Sequence, residues 1–322
     1  MTIHLDRRAL LASLATGGAM AALGGHAIAA SRKPFFARVG LPIGLQLYTL
    51  GDEPKKDLDG TLTRIAAIGY REIELPELYG KTPAQFRAAA DKAGVKPSCM
   101  HLAVGGMATG AALSLNSAPQ RIADDLGTLG IRQAVLPIVP FPEGMKPRPG
   151  ENFFATISRS LAEGGADYWK RTAAQLNEKA AALKPHGISL GYHNHNVEFM
   201  KVGEGTAWDI LVRETDPALV SFEVDIGWIA AAGLDPVAFL RRHKGRVRQL
   251  HVKDLKASTK VNTVLSMDPA EVGSGKQDWA RILPAAYDAG VRNFYVEQEP
   301  PFVIPRMDAV EKSFAYLSKL VA

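Results

Sequence analysis

The chain has 322 residues, 47% of them hydrophobic and 22% charged, with a formal net charge of +5. That length accommodates one α/β barrel of about 250 residues with additions, and the basic residues are interleaved with acids in a way that argues against nucleic acid as a partner. The single cysteine, Cys99, excludes an intramolecular disulfide and leaves any metal to histidine and carboxylate ligands.

Near the N-terminus, Arg7-Arg8 precede a weakly apolar, Ala-rich run broken by Gly17-Gly18 and Gly24-Gly25. The run closes on the small-x-small pattern Ala27-Ile28-Ala29. Residues 1–30 therefore read as a twin-arginine export signal and residues 31–322 as the folded part, with a periplasmic destination. The glycine pairs would make a poor spanning helix, so no stable membrane anchor is expected.

From Leu41 onward, short apolar runs alternate with amphipathic segments. The expected strands are 43–48, 72–75, 96–101, 133–138, 188–193, 219–224, 247–250 and 293–296. Expected helices follow: one around Leu58–Ala66 stopped by Gly69, then 83–92, 120–129, 166–183, 208–212, 236–242 and 278–288. A last helix carries Met307, Val310, Phe314, Leu317 and Val321 on one face. A loop at 103–112 contains Gly and Met. A proline-rich stretch from Pro140 to Phe153 has the length of a functional lid.

Eight β-then-α units predict a single (β/α)8 barrel. A doubly wound sheet would carry a Gly-rich phosphate loop after its first strand, and none is present.

Four of these strands run into residues that bind metals: His193, Asp225, His251 and Glu297. In such a barrel, strand ends converge at one mouth, and the period-two alternation of strands places Glu223 with Asp225, Gln249 with His251 and Lys253, and Glu72 with Glu74. So many ionisable groups cannot be buried unpaired without a cost of several kcal/mol each, and one divalent cation is the economical explanation. Two imidazoles and two carboxylates suit Mn, Co, Zn or Mg. Around them, Glu297, Glu74, His101 and Lys253 are candidate proton-transfer or polarising groups. His195, Gln46, Tyr48 and Trp228 are candidates for contacting substrate. Cys99 reads as buried filler, Asp254 as a local cap, His186 as a helix-end residue and His243 as a solvated one.

The segments Gly44-Leu-Gln-Leu-Tyr48, Gly69-Tyr-Arg-Glu-Ile-Glu-Leu75, Gly191-Tyr-His-Asn-His195, Asp225-Ile-Gly-Trp228, His251-Val-Lys-Asp254 and Tyr295-Val-Glu297 resemble the sugar phosphate isomerase/epimerase family. These are xylose-isomerase-like barrels that also include inosose dehydratases, ketose 3-epimerases and endonuclease-IV-type enzymes. The resemblance implies one divalent metal held by Glu, Asp, His and Glu, with Asp225, His251 and Glu297 at three of those positions. At the fourth, many members have Glu-Asn-His where this chain has His193-Asn194-His195. The implied activity is a sugar isomerase or epimerase that abstracts a proton next to a carbonyl through an enediolate stabilised by the metal. The same intermediate also allows β-elimination from a 3-keto-glycoside or keto-cyclitol. A small sugar or keto-sugar is the expected partner, and a homo-oligomer is open to such a barrel. A nuclease would need a multinuclear site and a basic face. A sugar-binding barrel without catalysis would keep affinity without turnover.

Overall fold

The structure, a computed structural model, describes residues 33–104 and 113–322. The expected export signal and most of the loop at 103–112 lie outside the described residues.

Eight parallel strands close into a barrel: β1 (Gly44–Gln46), β2 (Glu72–Leu75), β3 (Lys96–His101), β4 (Gln133–Leu136), β5 (Ser189–His193), β6 (Val220–Asp225), β7 (Val247–Val252) and β8 (Asn293–Val296). Each strand pairs with its neighbours in sequence, and β1 closes the ring against β8 through Gly44 opposite Tyr295 and Leu45 opposite Val296. The expected single (β/α)8 barrel is therefore what forms. Two short antiparallel pairs, at 201–202 with 205–206 and at 254–255 with 269–270, decorate the loops.

Local chemistry accounts for the outer helices. Leu58–Ile68 starts on Asp57, whose side chain accepts from Gly60 N–H, buries Leu58, Leu62 and Ile65 inward, and stops at Gly69. Pro83–Ala93 opens on a capping box between Thr82 and Gln85 and ends on Gly94 in the left-handed region. Among the described residues, no helix is long and apolar enough to cross a membrane.

The structure differs from expectation in several places, of which four bear on the packing. β1 is shorter, because the chain turns into a 3-10 helix at Leu47–Leu50 once Gln46 has accepted from Tyr48 N–H. The helix expected from Ala166 begins at Phe153, capped by Asn152, and breaks at Gly165, where φ is 57° and ψ is −160°. The last helix ends at Leu317, so Val321 is exposed and shares no helical face with Met307. His243 is buried rather than solvated: it accepts from Trp208 Nε1 at 3.1 Å and packs on Phe239.

Candidate metal centre and active site

The C-terminal ends of β5 to β8 bring His193, Asp225, His251 and Glu297 together. One ligand atom from each falls within 4.8 Å of every other. His251 Nδ1 lies 2.7 Å from Glu297 Oε2 and 3.7 Å from Asp225 Oδ2, and His193 Nε2 lies 3.9 Å from that same Asp225 oxygen. Atoms bound at about 2.0–2.2 Å to one ion stand roughly 3–3.5 Å apart, so small side-chain adjustments would seat a cation. Asp225 Oδ2, Glu74 Oε1 and Glu223 Oε2 are buried without a hydrogen-bond partner, although Lys253 Nζ lies 2.9 Å from the first and His101 Nε2 lies 3.3 Å from the second. The Glu223 oxygen and the surplus of carboxylates over cations are what a bound cation would satisfy. The donor set therefore fits a divalent metal.

The two imidazoles present opposite nitrogens to a second carboxylate. Glu223 Oε1 accepts from His193 Nδ1 at 3.0 Å and stands 3.2 Å from His251 Nε2 and from His101 Nε2. Glu74 Oε2 takes a closer bond from His251 Nε2, at 2.6 Å, and another from Gln46 Nε2 at 2.9 Å. A carboxylate on the far nitrogen fixes which ring nitrogen carries its proton and aims the other at a metal. His193 Nε2 and His251 Nδ1 are thus the nitrogens turned towards Asp225 and Glu297. The sequence placed Glu223 on the same face as Asp225 but gave it no role. Its apolar neighbours Phe222 and Val224 read simply as strand body.

Short-range bonds set the loops. Asn194 Oδ1 accepts from Asp225 N–H at 3.1 Å, tying the end of β5 to the end of β6, and Asp225 Oδ1 caps the helix Ile226–Ala231 through Trp228 N–H. Buried Glu198 accepts from Tyr192 Oη at 2.5 Å and from His195 N–H at 2.8 Å, which fixes the turn after β5. Asp254, expected to cap or pair locally, does accept from Leu255 N–H at 2.9 Å, and it also gathers the N–H groups of Gly273, Gly275 and Gln277 and the Trp279 indole.

Lys253 is buried with its ammonium 2.8 Å from Glu297, 2.9 Å from Asp225 and 3.2 Å from Glu299, and 5.1 Å from the centre of the Trp228 ring. A Cβ on Gly227 would meet its stem at 2.8 Å, so the glycine after Ile226 is what lets this side chain lie here. His195 packs between His193 and Trp228, at ring separations of 5.0 and 5.2 Å, and its Nδ1 has no hydrogen-bond partner. His101 sits on the other side of His193, 5.8 Å away. Gln46 is wholly buried under Glu74, whereas Tyr48 stands 45% exposed at the rim. Below the charged cluster, Cys99 packs with Val135 and Tyr295 inside the barrel.

Burial and charge push these groups in different directions. Burial resists charge on His101, but Glu74 and Glu223 lift it to about 10. Burial holds His195 well below the ordinary histidine value, with the neighbouring charge of His193 adding to the effect. Burial also lowers His193, helped by His251, while the three carboxylates Glu223, Glu297 and Glu74 outweigh burial and raise His251.

A closed (β/α)8 barrel with a carboxylate–imidazole cluster at the C-terminal ends of its strands defines a class: barrels whose strand ends converge on side chains that could hold a metal ion. The model of the xylose isomerase-like TIM barrel family matches residues 62–320, and the chain belongs to that family. It is 25% identical over 219 residues to an inosose dehydratase of Geobacillus kaustophilus (strain HTA426), covering 64% of each chain. It is 33% identical over 90 residues to an inosose dehydratase of Clostridium tetani (strain Massachusetts / E88), covering 27% of this chain and 29% of that one. These matches span less than two thirds of the relatives' own length. Among solved structures, a sugar phosphate isomerase/epimerase from Parabacteroides distasonis ATCC 8503 superposes with a TM-score of 0.66 at 25% identity, covering 85% of this chain and 96% of that one. The zinc-bound IolI protein superposes with a TM-score of 0.57 at 14% identity, covering 85% and 95%, a likeness of fold alone.

Proposed function

We propose that this protein is an exported, metal-dependent lyase that removes the proton beside the carbonyl of a keto-sugar or keto-cyclitol and expels an oxygen substituent from the next carbon. The observation that carries this is the convergence of His193, Asp225, His251 and Glu297 within 4.8 Å. These four would hold one Mn, Co, Zn or Mg ion. Bound there, it would supply Lewis-acid polarisation of a carbonyl.

The chain's own residues divide the proton work. His195 presents an Nδ1 without a partner beside His193, and takes the proton. His101, across His193 and bordering the adjoining cavity, gives a proton to the departing oxygen. Glu223 and Glu74 orient the imidazoles, and Lys253 holds Asp225 and Glu297 in place. The electrons of the broken C–H bond become a C=C bond as the C–O bond opens, so the products are an enone and water or an alcohol.

Elimination is favoured over epimerisation because His193 stands where many family members carry a carboxylate, which removes one of two opposed carboxylate bases. Isomerisation or epimerisation is the second reading, supported by the likeness to the Parabacteroides structure. In it no oxygen substituent leaves, and a solvent-exchangeable proton is delivered to the adjacent carbon or to the opposite face of the same carbon.

The test is to measure metal in the purified protein and incubate it with keto-sugars and keto-cyclitols in D₂O. Release of water or alcohol with enone absorbance supports the lyase. Deuterium uptake without release supports the isomerase or epimerase. Sugar affinity with neither leaves a binding protein. His195→Gln should abolish exchange while metal content is retained.

A further inference from the structure

The cluster offers a cation a second position. One ligand atom from each of His101, His193, Glu223 and His251 also falls within 4.8 Å of every other. Glu223 Oε1 is the hub of this inner set, 3.0 Å from His193 Nδ1 and 3.2 Å from both His251 Nε2 and His101 Nε2. Those separations match the roughly 3–3.5 Å between atoms sharing one ion more evenly than the 2.7, 3.7 and 3.9 Å of the outer set, His193, Asp225, His251 and Glu297. Glu223 precedes Asp225 by two residues on one face of β6, so its carboxylate comes from about 6–7 Å deeper along the strand.

The two positions share His193 and His251 but use opposite ring nitrogens. The outer one faces His193 Nε2 and His251 Nδ1, the inner one His193 Nδ1 and His251 Nε2. A neutral imidazole has one acceptor nitrogen and one N–H. Serving both positions at once would strip both rings of their last proton, so occupancy of one excludes the other. The donors also differ. Three imidazoles and one carboxylate form the inner set, two and two the outer, and imidazole suits zinc whereas carboxylate suits manganese and magnesium. Charge sharpens the contrast. Lys253 already pairs with Asp225 and Glu297. Among the described residues, the ion pairs of Glu74 and Glu223 are with histidines alone, and Glu223 Oε2 is buried without a partner. Together these two carboxylates balance one divalent ion.

We propose that His101, His193, Glu223 and His251 form a zinc site that competes with the outer position, so that zinc switches the protein off. Four protein donors close a tetrahedral shell and leave no place for a substrate oxygen. His101, engaged through Nε2, no longer gives its proton to a departing group. With His251 bound through Nε2, its Nδ1–H donates to Glu297 Oε2 at 2.7 Å, and Glu297 changes from ligand to the carboxylate behind one. The inhibition rests on the proposed proton abstraction; the zinc site does not.

Calorimetric titration of the full chain, stripped by chelator, uses Zn²⁺ alone and Mn²⁺ alone. His101→Gln should weaken zinc at least tenfold and leave manganese within about twofold of the parent, with an unchanged circular dichroism spectrum. Equal losses for the two metals, or no loss for zinc, overturn the inner site. Elemental analysis of the parent after dialysis against both metals should find one ion per chain. Added zinc should return the electron paramagnetic resonance of bound manganese to that of the free ion. Two ions per chain overturn the competition. In D₂O, one equivalent of zinc should cut the carbon–hydrogen exchange of a keto-sugar by the manganese form at least tenfold, and undiminished exchange with zinc bound overturns the switch. No exchange in the manganese form, with zinc weakened as expected in His101→Gln, overturns the catalytic reading and with it the inhibition, and leaves the zinc site standing.

Discussion

Lys253 Nζ lies 2.8 Å from Glu297 Oε2, an ion pair that is almost entirely out of water. The same ammonium is 2.9 Å from Asp225, so it neutralises two of the four side chains that would hold a cation. Lys253→Met should leave those carboxylates uncompensated and destabilise the metal-free protein by about 3–5 kcal/mol. A divalent ion should recover most of that loss. Urea unfolding in chelator and in millimolar Mn²⁺ measures both, and an equal loss in the two conditions would count against a shared cation site.

Asp225 does two jobs with two oxygens: Oδ1 caps a helix through Trp228 N–H at 2.9 Å, while Oδ2 faces the cluster. Asp225→Asn keeps an oxygen for the cap but loses the charge paired with buried Lys253, so it should lower metal affinity at least tenfold and lower Tm as well. Asp225→Ala should cost about 1 kcal/mol more, attributable to the cap. Calorimetric metal titration and thermal melts of the two variants separate the cap from the charge. Equal Tm in the two variants would remove the cap from the account.

Glu223 Oε1 serves imidazoles from three strands. Glu223→Gln should weaken metal binding by about 10–100-fold, the usual effect of losing the carboxylate behind a ligating histidine. The circular dichroism spectrum should not change. Metal affinity equal to that of the parent would mean that Glu223 orients nothing.

His243 gives a pH effect away from the site. Burial, reinforced by Arg242, depresses it from 6.5 to about 4, and it stays neutral to accept from Trp208. Because its folded value lies below its unfolded one, the stability it contributes is present above about pH 6.5 and is lost as pH falls towards 4. His243→Gln should be less stable than the parent at pH 7 and should show a shallower loss between pH 6.5 and 4. Parallel urea curves across that window check it, and identical slopes would remove the histidine from the account.

Glu198 runs the other way. Burial raises it from 4.5 to about 7, against the bonds from Tyr192 and His195. Its folded value exceeds its unfolded one, so its contribution is complete below about pH 4.5 and is lost as pH rises through 7. Glu198→Gln should flatten stability between those limits, measured by thermal melts at half-unit steps.

Much of the barrel could be read from the chain because its strands are short apolar runs closed by punctuation. β2 and β8 fall where the alternation puts them. What escaped was non-local. The helix start at Phe153 was hidden by Gly164-Gly165, which interrupt the pattern from within. His243, flanked by Arg241-Arg242 and Lys244, looked wet until Trp208 packed over it from a different helix. The polar strand ends were visible one by one, and the structure brings His193, Asp225, His251 and Glu297 to one place. The work of Glu223 was not visible, since it exists only where β3, β5 and β7 present their histidines to it.

The four cation-facing side chains come from four successive strands, each held by its own ladder of backbone bonds. Such a layout lets inheritance swap one donor at a time. A histidine can take a carboxylate's post on β5 without moving the scaffold beneath the other three. Divergence of chemistry on such a scaffold then needs few base changes and little refolding.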